Sequence, residues 1–426
     1  MRTLIRGGRI IDPKTSRDGI FDILVEDSVI QEISDTIKKT DGKVQVVNAA
    51  GRIVAPGLID VHCHLREPGF EYKETILTGT SAAIRGGFTT VVCMANTDPV
   101  NDSRSVTEFI IDKARAEGKC KVLPCGAITR GLKGEELAEI GEMFSAGIIA
   151  LSDDGRSVSN AGLMRKALEY AKIFKLPVIS HCEDDTLSGG YIHEGTASLL
   201  NGLEGIPAIA EELMVQRDIA IARYVNAPIH ITHISSGGSV EIIEAARKMF
   251  RKVTCDTCPH YFSLTDEATL AFDTNTKVNP PLRSKKDVEA IKEGLRKGII
   301  DIIATDHAPH EITSKDVEFD LAAFGISGFE TAFALSLGLV REGVLDMPAL
   351  LEKMTANPAK LLGINSGTIA EGAPADIIIF DPDIEWTVDR NSFVSKGRNT
   401  PFHGNALKGK NLFTMVSGKI VFNELK

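Results

Sequence analysis

Gly57-Leu58-Ile59-Asp60-Val61-His62-Cys63-His64-Leu65-Arg66 is the stretch that decides the fold. Its first half is apolar and of strand length, and residues two apart in a strand share a face. His62 and His64 therefore point together, whereas Val61, Cys63 and Leu65 point away. The same form recurs along the chain: a short apolar run, a polar or glycine-marked end, then a helical stretch. The eight runs occupy residues 57–61, 89–94, 121–125, 148–151, 176–179, 228–231, 252–257 and 299–304. They are apolar or β-branched almost throughout, as parallel strands covered on both faces must be.

Helical spacing separates the runs. After Asn160, the residues Leu163, Ala167, Tyr170, Ala171 and Phe174 fall on one face. Val288, Ile291 and Leu295 repeat the stripe between the seventh and eighth runs. Ser105 and Glu108 have the form of a capping box. Strands alternating with helices predict an α/β fold, a TIM-like (β/α)8 barrel. A doubly wound sheet competes, but no G-x-G-x-x-G follows the first run. The two ends differ. Residues 1–53 and 367–426 carry short strands, near 4–5, 20–25, 375–380 and 414–421, broken by glycine turns. Each end alone is small for a core. Together they are expected to form one small β-sandwich-like domain, interrupted by a barrel spanning residues 54–366.

Composition bounds the function. The 426 residues are 43% hydrophobic and 25% charged, which describes an ordinary globular chain. No apolar run reaches the roughly 18–20 residues that span a bilayer. The arginines at the N-terminus precede no sustained apolar stretch, so no secretory signal is expected. A formal charge of −10 argues against a nucleic-acid or anionic-membrane surface. It leaves room for a small anionic substrate in a locally positive cleft. Seven scattered cysteines do not suggest a disulfide framework, and a cytoplasmic location is expected.

Polar residues gather where the runs end, the place where a barrel carries its active site. His62 and His64 end the first run, Asp153 and Asp154 the fourth, His181 the fifth, His233 the sixth and Asp306 the eighth. Imidazoles and carboxylates suit zinc or another borderline divalent metal, and so many ligands suit two ions sharing a carboxylate. Any one of these residues could simply cap a loop; their coincidence at equivalent positions is what argues for a site. Arg66 follows His64 on the same face, a fork for a carboxylate. Its competing reading is an ion pair with Glu67 or Glu71. Cys255-Asp256-Thr257-Cys258 has C-x-x-C form, but no second pair follows and a strand turns the two cysteines to opposite faces. His193, His230, His260 and His307 are expected in supporting or structural positions.

With these motifs in view, the chain is identified as a member of the amidohydrolase superfamily that resembles class I dihydroorotases. The resemblance runs from Arg6 to about Gly418. It is carried by Asp60 through Gly69, Met94-Ala95-Asn96-Thr97, Ser152-Asp153-Asp154-Gly155, His181-Cys182-Glu183-Asp184 and His233-Ile234-Ser235. It continues through Asn279-Pro280-Pro281-Leu282-Arg283, Thr305-Asp306-His307-Ala308-Pro309-His310, and Phe324 to Thr331. Ala95, where many relatives have proline, and Cys63, where valine is common, are departures that remove no ligand.

The resemblance implies two zinc ions per subunit, held by His62, His64, His181, His233 and Asp306 and bridged by Asp154 and hydroxide. Related cyclic amidases usually place a carboxylated lysine at the bridge. Periodicity does not choose between Asp153 and Asp154; alignment with the motif gives the bridge to Asp154, with Asp153 as runner-up. The resemblance further makes Asp306 the catalytic acid/base, and places His64, Arg66, Asn96, Asn279, His310, Phe324 and Gly325 against the substrate. The implied reaction is the reversible cyclisation of N-carbamoyl-L-aspartate to (S)-dihydroorotate in pyrimidine biosynthesis. A homodimer is implied, and association with aspartate transcarbamoylase is left open. The competing readings are a hydantoinase, dihydropyrimidinase or allantoinase, and a non-catalytic scaffold for aspartate transcarbamoylase. Residues 311–326, charged and with glycine near their end, are expected to form a mobile loop over the site.

Overall fold

The computed structural model describes residues 2–38 and 43–425; residues 1, 39–42 and 426 of the terminal segments lie outside them. All eight apolar runs form strands: Leu58–Cys63, Phe88–Cys93, Lys121–Gly126, Ala150–Leu151, Ile179–Ser180, Ile229–Ile231, Val253–Thr257 and Ile302–Ile303. Two four-stranded parallel sheets contain them in chain order. Parallel bridges join the sheets at both seams, Leu151 to Val178 and Cys63 to His307, and the amide of His64 donates to the carbonyl of His307 at 2.9 Å. The sheet thus curls into the barrel expected from the sequence.

Helices follow each strand: Ile76–Gly86, Arg104–Glu117, Ile140–Ala146, Ala161–Phe174, Ile209–Val225, Gly237–Arg247, Lys285–Arg296 and Phe329–Arg341. The helix after Asn160 starts where predicted, with the Asn160 side chain accepting from the Leu163 amide at 3.1 Å. Leu163, Ala167 and Ala171 are buried on its inner face, while Tyr170 lies at the edge of the stripe, 37% exposed. The expected Ser105–Glu108 capping box does not form. That helix begins two residues earlier, after Ser103, and Glu108 instead pairs with Arg104 at 2.7 Å, one turn back.

Strands from both ends of the chain share one sheet. Arg2–Asp12 pairs with Arg17–Glu26 on one side and with Val44–Asn48 and Ile53–Pro56 on the other; Ile53–Pro56 pairs in turn with Ile377–Thr387. Ala406–Val416 and Lys419–Asn423 complete it. Ile5, Ile10, Ile23, Val54, Ile377, Ile379 and Phe413 are buried together in its core. The connection between Ile377–Thr387 and Ala406–Val416 leaves this sheet and reaches the mouth of the barrel, where the site lies.

Candidate metal centre

The histidines converge on one carboxylate. Oδ1 of Asp154 lies 3.1 Å from His62 Nε2, 3.4 Å from His233 Nε2 and 3.7 Å from His181 Nδ1, and Oδ2 lies 3.4 Å from His64 Nε2. Asp306 Oδ1 approaches His64 Nε2 at 3.1 Å and His62 Nε2 at 3.6 Å. Asp153 turns the other way, accepting from the amides of Ile128 and Thr129 at 2.7 and 2.9 Å and from the Thr129 hydroxyl. The choice between the adjacent aspartates is thus made by hydrogen bonding: one carboxylate is spent on a loop, the other faces the imidazoles.

Among the described residues, two groups have ligand atoms mutually within 4.8 Å: His62 with His64 and Asp306, and His62 with Asp154 and His233. His62 belongs to both. His181 stands outside these groups, though its Nδ1 is 2.8 Å from His233 Nε2.

Neighbouring residues fix which ring nitrogen of His62, His64 and His181 faces the carboxylates. The Thr232 hydroxyl donates to Asp256 at 2.9 Å, so its oxygen accepts from His62 Nδ1 at 2.7 Å. Nδ1 of His62 therefore carries a proton, and Nε2 is the nitrogen that faces the carboxylates. His64 Nδ1 donates to Asn96 Oδ1 at 2.9 Å, with the same consequence for Nε2. His181 Nε2 faces Glu183 at 3.5 Å, which leaves Nδ1 toward His233 and Asp154. The Asp256 carboxylate also accepts from the amide of His233 and from His230 Nε2, at 2.6 and 2.7 Å.

Backbone strain accompanies this order. Arg66, His233 and Asp306 adopt left-handed φ of 62°, 40° and 44°, costly for side-chain-bearing residues. Bonds beside them hold the conformation: Thr305 donates its amide and hydroxyl to Asp60 at 2.9 and 2.6 Å, next to Asp306.

A divalent cation fits these residues. The nitrogens that face inward, Nε2 of His62, His64 and His233 and Nδ1 of His181, all lie within 3.7 Å of the Asp154 carboxylate, and imidazole nitrogen with carboxylate oxygen is the donor chemistry that such a cation takes. Burial opposes charge on His62, but Asp154 and then Asp306 outweigh it and raise its pKa to about 10. Burial likewise opposes the Asp306 carboxylate, yet the hydrogen bond from His64 and the charges of His62, His64 and His233 hold it at about 2. The same imidazoles keep Asp154 well below the carboxylate range against its burial. Two anionic carboxylates ringed by imidazole nitrogens form a sink for positive charge, for which protons and metal compete.

The centre opens into a cavity of about 220 Å³ lined by Arg66, Asn96, Asn279, His310, Phe324 and Gly325 as well as by His64, Asp154, His181, His233 and Asp306. Every predicted site residue except His62, which is fully buried behind the others, lines it. Arg66 points to its carbonyl-rich wall, with Nε donating to Pro309 at 3.3 Å and Nη2 3.4 Å from His310 Nε2. The His310 Nε2–H donates to the Phe324 carbonyl at 2.9 Å. Burial, and then the charges of Arg66 and Lys73, keep this imidazole neutral. Gly325 has φ 142°, and a Cβ there would meet the Ala308 carbonyl at 2.7 Å; only glycine brings the backbone so close. A hollow of about 480 Å³ adjoins at His310, lined also by Arg390 and Arg398.

The segment 311–326, expected to be mobile, is anchored. Lys315 Nζ donates to the carbonyls of Thr274, Lys277 and Ala323 at 2.9, 3.1 and 2.6 Å. Lys277 Nζ lies 4.5 Å over the Phe324 ring and 4.9 Å over Tyr191. Opening must break these contacts. Sequence reasoning gave no role to Glu183, Thr232 or Asp256. Glu183, besides facing His181, accepts from Asn279 Nδ2 at 2.9 Å; its place two residues beyond His181, on the same face, was the available signal. Of the histidines set aside, His230 supports the centre through Asp256, and His307 stacks on Phe329 at 4.2 Å beside Glu74. Cys255 and Cys258 are buried thiols.

Fold and site together define a metal-dependent hydrolase of the (β/α)8 type. Comparison with known proteins narrows this. Residues 51–239 match the model of a family described as dihydro-orotase-like, and residues 271–422 that of the amidohydrolase family. A dihydroorotase of Acetivibrio thermocellus is 55% identical over 99% of both chains, and one of Geobacter metallireducens 53% identical over 99% of this chain and all of its own. Among solved structures, an L-hydantoinase of Arthrobacter aurescens superposes with a TM-score of 0.89 at 25% identity, covering 100% of this chain and 96% of that one. The chain belongs to the dihydroorotase family.

Proposed function

We propose that the protein catalyses the reversible, zinc-dependent cyclisation of N-carbamoyl-L-aspartate to (S)-dihydroorotate in pyrimidine biosynthesis. One observation carries the reading: a single small cavity has the His/Asp cluster on one wall and Arg66, Asn96 and the Phe324–Gly325 backbone on the others. Four imidazoles and two carboxylates are a donor set for zinc, which His62, His64, Asp154, His181, His233 and Asp306 would hold. Bound there, the metal supplies a Lewis acid that polarises the ring amide and makes water acidic enough to attack near neutral pH.

The chain's own residues do the rest. Arg66 takes the substrate carboxylate in its fork. Asn96, whose Oδ1 is occupied by His64, has its Nδ2 available for the substrate, since its contacts to Asp154 are long, at 3.4 and 3.5 Å. His310, Asn279 and the backbone at Phe324–Gly325 border the ring and exclude water. In hydrolysis, Asp306 accepts the proton released as water attacks and delivers it to the ring nitrogen as the C–N bond breaks. In cyclisation the same carboxylate takes the proton from the ureido nitrogen.

The competing cyclic amidases act on rings without a carboxylate, for which Arg66 has no use. Among the described residues no lysine lines the cavity. The test is hydrolysis of L-dihydroorotate by zinc-reconstituted protein, beside dihydrouracil, hydantoin and allantoin, with a chelated control. Metal-dependent turnover of dihydroorotate alone is expected; preference for another ring would overturn the substrate assignment, and silence on all four would favour the scaffold.

We extend the reading, from the family resemblance, to a homodimer, a cytoplasmic location and an association with aspartate transcarbamoylase, which sedimentation and co-purification test. Among the described residues, no helix is long and apolar enough to cross a membrane. The division into residues 1–53 with 367–426 and residues 54–366 is likewise our reading, supported by the shared terminal sheet. Limited proteolysis at those boundaries would examine it.

A further inference from the structure

The connection between Ile377–Thr387 and Ala406–Val416 packs on two loops of the site. One follows the eighth barrel strand and carries Ala308, Pro309 and His310. The other precedes the helix Phe329–Arg341 and carries Phe324 to Ser327. At Gly397 the approach is so close that a Cβ would fall 2.4 Å from Pro309 Cβ and 2.6 Å from Ser327 Oγ. Two residues on, Asn399 is buried, with 3% of its surface exposed.

The side chain of Asn399 spans both loops. Its Nδ2 donates to the carbonyls of Ala308 and Gly325, each at 3.0 Å. Its Oδ1 accepts from the His310 amide at 3.0 Å and the Ser327 hydroxyl at 2.8 Å. Its own carbonyl accepts from the Ser327 amide at 2.8 Å. A primary amide has two donors and two acceptor sites, and all are used here. Aspartate would supply only acceptors and face the two carbonyls with negative charge. Alanine would leave four buried groups short of a partner. The groups held are those bordering the substrate: the His310 backbone, the carbonyl of Gly325 and, through the Ala308–His310 turn, the Pro309 carbonyl on which Arg66 rests.

We infer that Asn399 is a positioning residue: it sets the spacing between His310 and the Phe324–Gly325 backbone, and so the affinity for substrate. The inference rests on the assignment of His310 and Gly325 to the substrate side. Asn399 touches neither the His/Asp cluster nor the reacting atoms, so its loss should act on KM rather than on kcat or metal content.

Full-length, zinc-loaded Asn399→Ala and the conservative Asn399→Asp decide this by two readouts. Hydrogen–deuterium exchange in Asn399→Ala should quicken at residues 308–310 and 324–327 while the barrel strands stay protected. The KM for dihydroorotate should rise about tenfold in both variants, with kcat within about threefold, because only part of the cost of the lost hydrogen bonds falls on the binding step. In an Asn399→Ala/His310→Ala pair, the KM penalty of the first change should shrink, because both act through one element. Unchanged exchange, an unchanged KM, or penalties that multiply would overturn the inference. Failure of the wild-type protein to turn over dihydroorotate would instead sink the substrate reading, and the exchange experiment would still decide whether Asn399 clamps the loops.

Discussion

The carboxylate of Asp154 stands 3.1 Å from Nε2 of His62, at the point where four imidazoles meet. Its neighbour Asp153 is turned away onto the amides of Ile128 and Thr129. Adjacent residues of identical chemistry are thus given separate tasks by one backbone step, and the two substitutions should separate cleanly. Asp154→Ala should lose most of its bound zinc and its turnover. Asp153→Asn should keep its zinc and cost about 1–3 kcal/mol of stability through weakened loop bonds. Metal content by mass spectrometry and a denaturant melt check both; loss of zinc in Asp153→Asn would reverse the assignment.

Thr232 orients His62 without facing the carboxylates itself. Its hydroxyl relays Asp256 to His62 Nδ1 and thereby turns Nε2 toward Asp154 and Asp306. Thr232→Val preserves shape and removes the relay. Zinc affinity should fall about 10–100-fold, as it does when an orienting partner of a ligand histidine is lost. Competition against a chromophoric chelator measures it, and an unaltered affinity would remove Thr232 from the site.

Arg66 should govern which ring is accepted. Arg66→Lys keeps the charge but not the planar fork. The KM for dihydroorotate should rise about 10–100-fold, the worth of a charged hydrogen bond, while zinc content stays constant. Steady-state kinetics of the variant beside wild type checks this; an unmoved KM would place the substrate carboxylate elsewhere.

His260 offers a stability test. It is fully buried, its Nε2 has no hydrogen-bond partner among the described residues, and burial lowers its pKa to about 4 from an ordinary 6.5. Between those values the unfolded chain binds the proton and the folded one does not, so stability falls as the pH drops from 6.5 to 4. The loss amounts to about 3 kcal/mol at the lower limit. His260→Phe lacks the titration, and its denaturation midpoint should fall less steeply with acid than that of the wild type. Parallel pH profiles would show that His260 already carries its proton when folded.

The barrel was legible because its strands are covered on both faces, so that even Ile302–Ile303, two residues long, sits inside a readable apolar run. The convergence of the four histidines was legible because strand geometry fixes which residues share a face and a barrel gathers strand ends. The Ser105–Glu108 cap was misread because a local motif does not fix where a helix starts; the turn before it set Ser103 as the first boundary. Thr232, Asp256 and Asn399 escaped for another reason. Their roles lie in hydrogen bonds to residues distant in the chain, and a lone threonine or asparagine carries no spacing signal. Asn399 meets His310 across 89 positions, a pairing that only the folded chain displays.

In the proposed reaction, proton transfer during metal-dependent ring opening falls to Asp306. That role is tested most directly by following L-dihydroorotate hydrolysis with zinc-loaded wild type and Asp306→Asn side by side, with the metal content of both determined. The wild type should turn over and lose activity to chelation, whereas Asp306→Asn should retain zinc and fall in rate by about 10²–10⁴-fold, the usual contribution of a general acid/base. A zinc-loaded Asp306→Asn enzyme working near the wild-type rate would contradict the account.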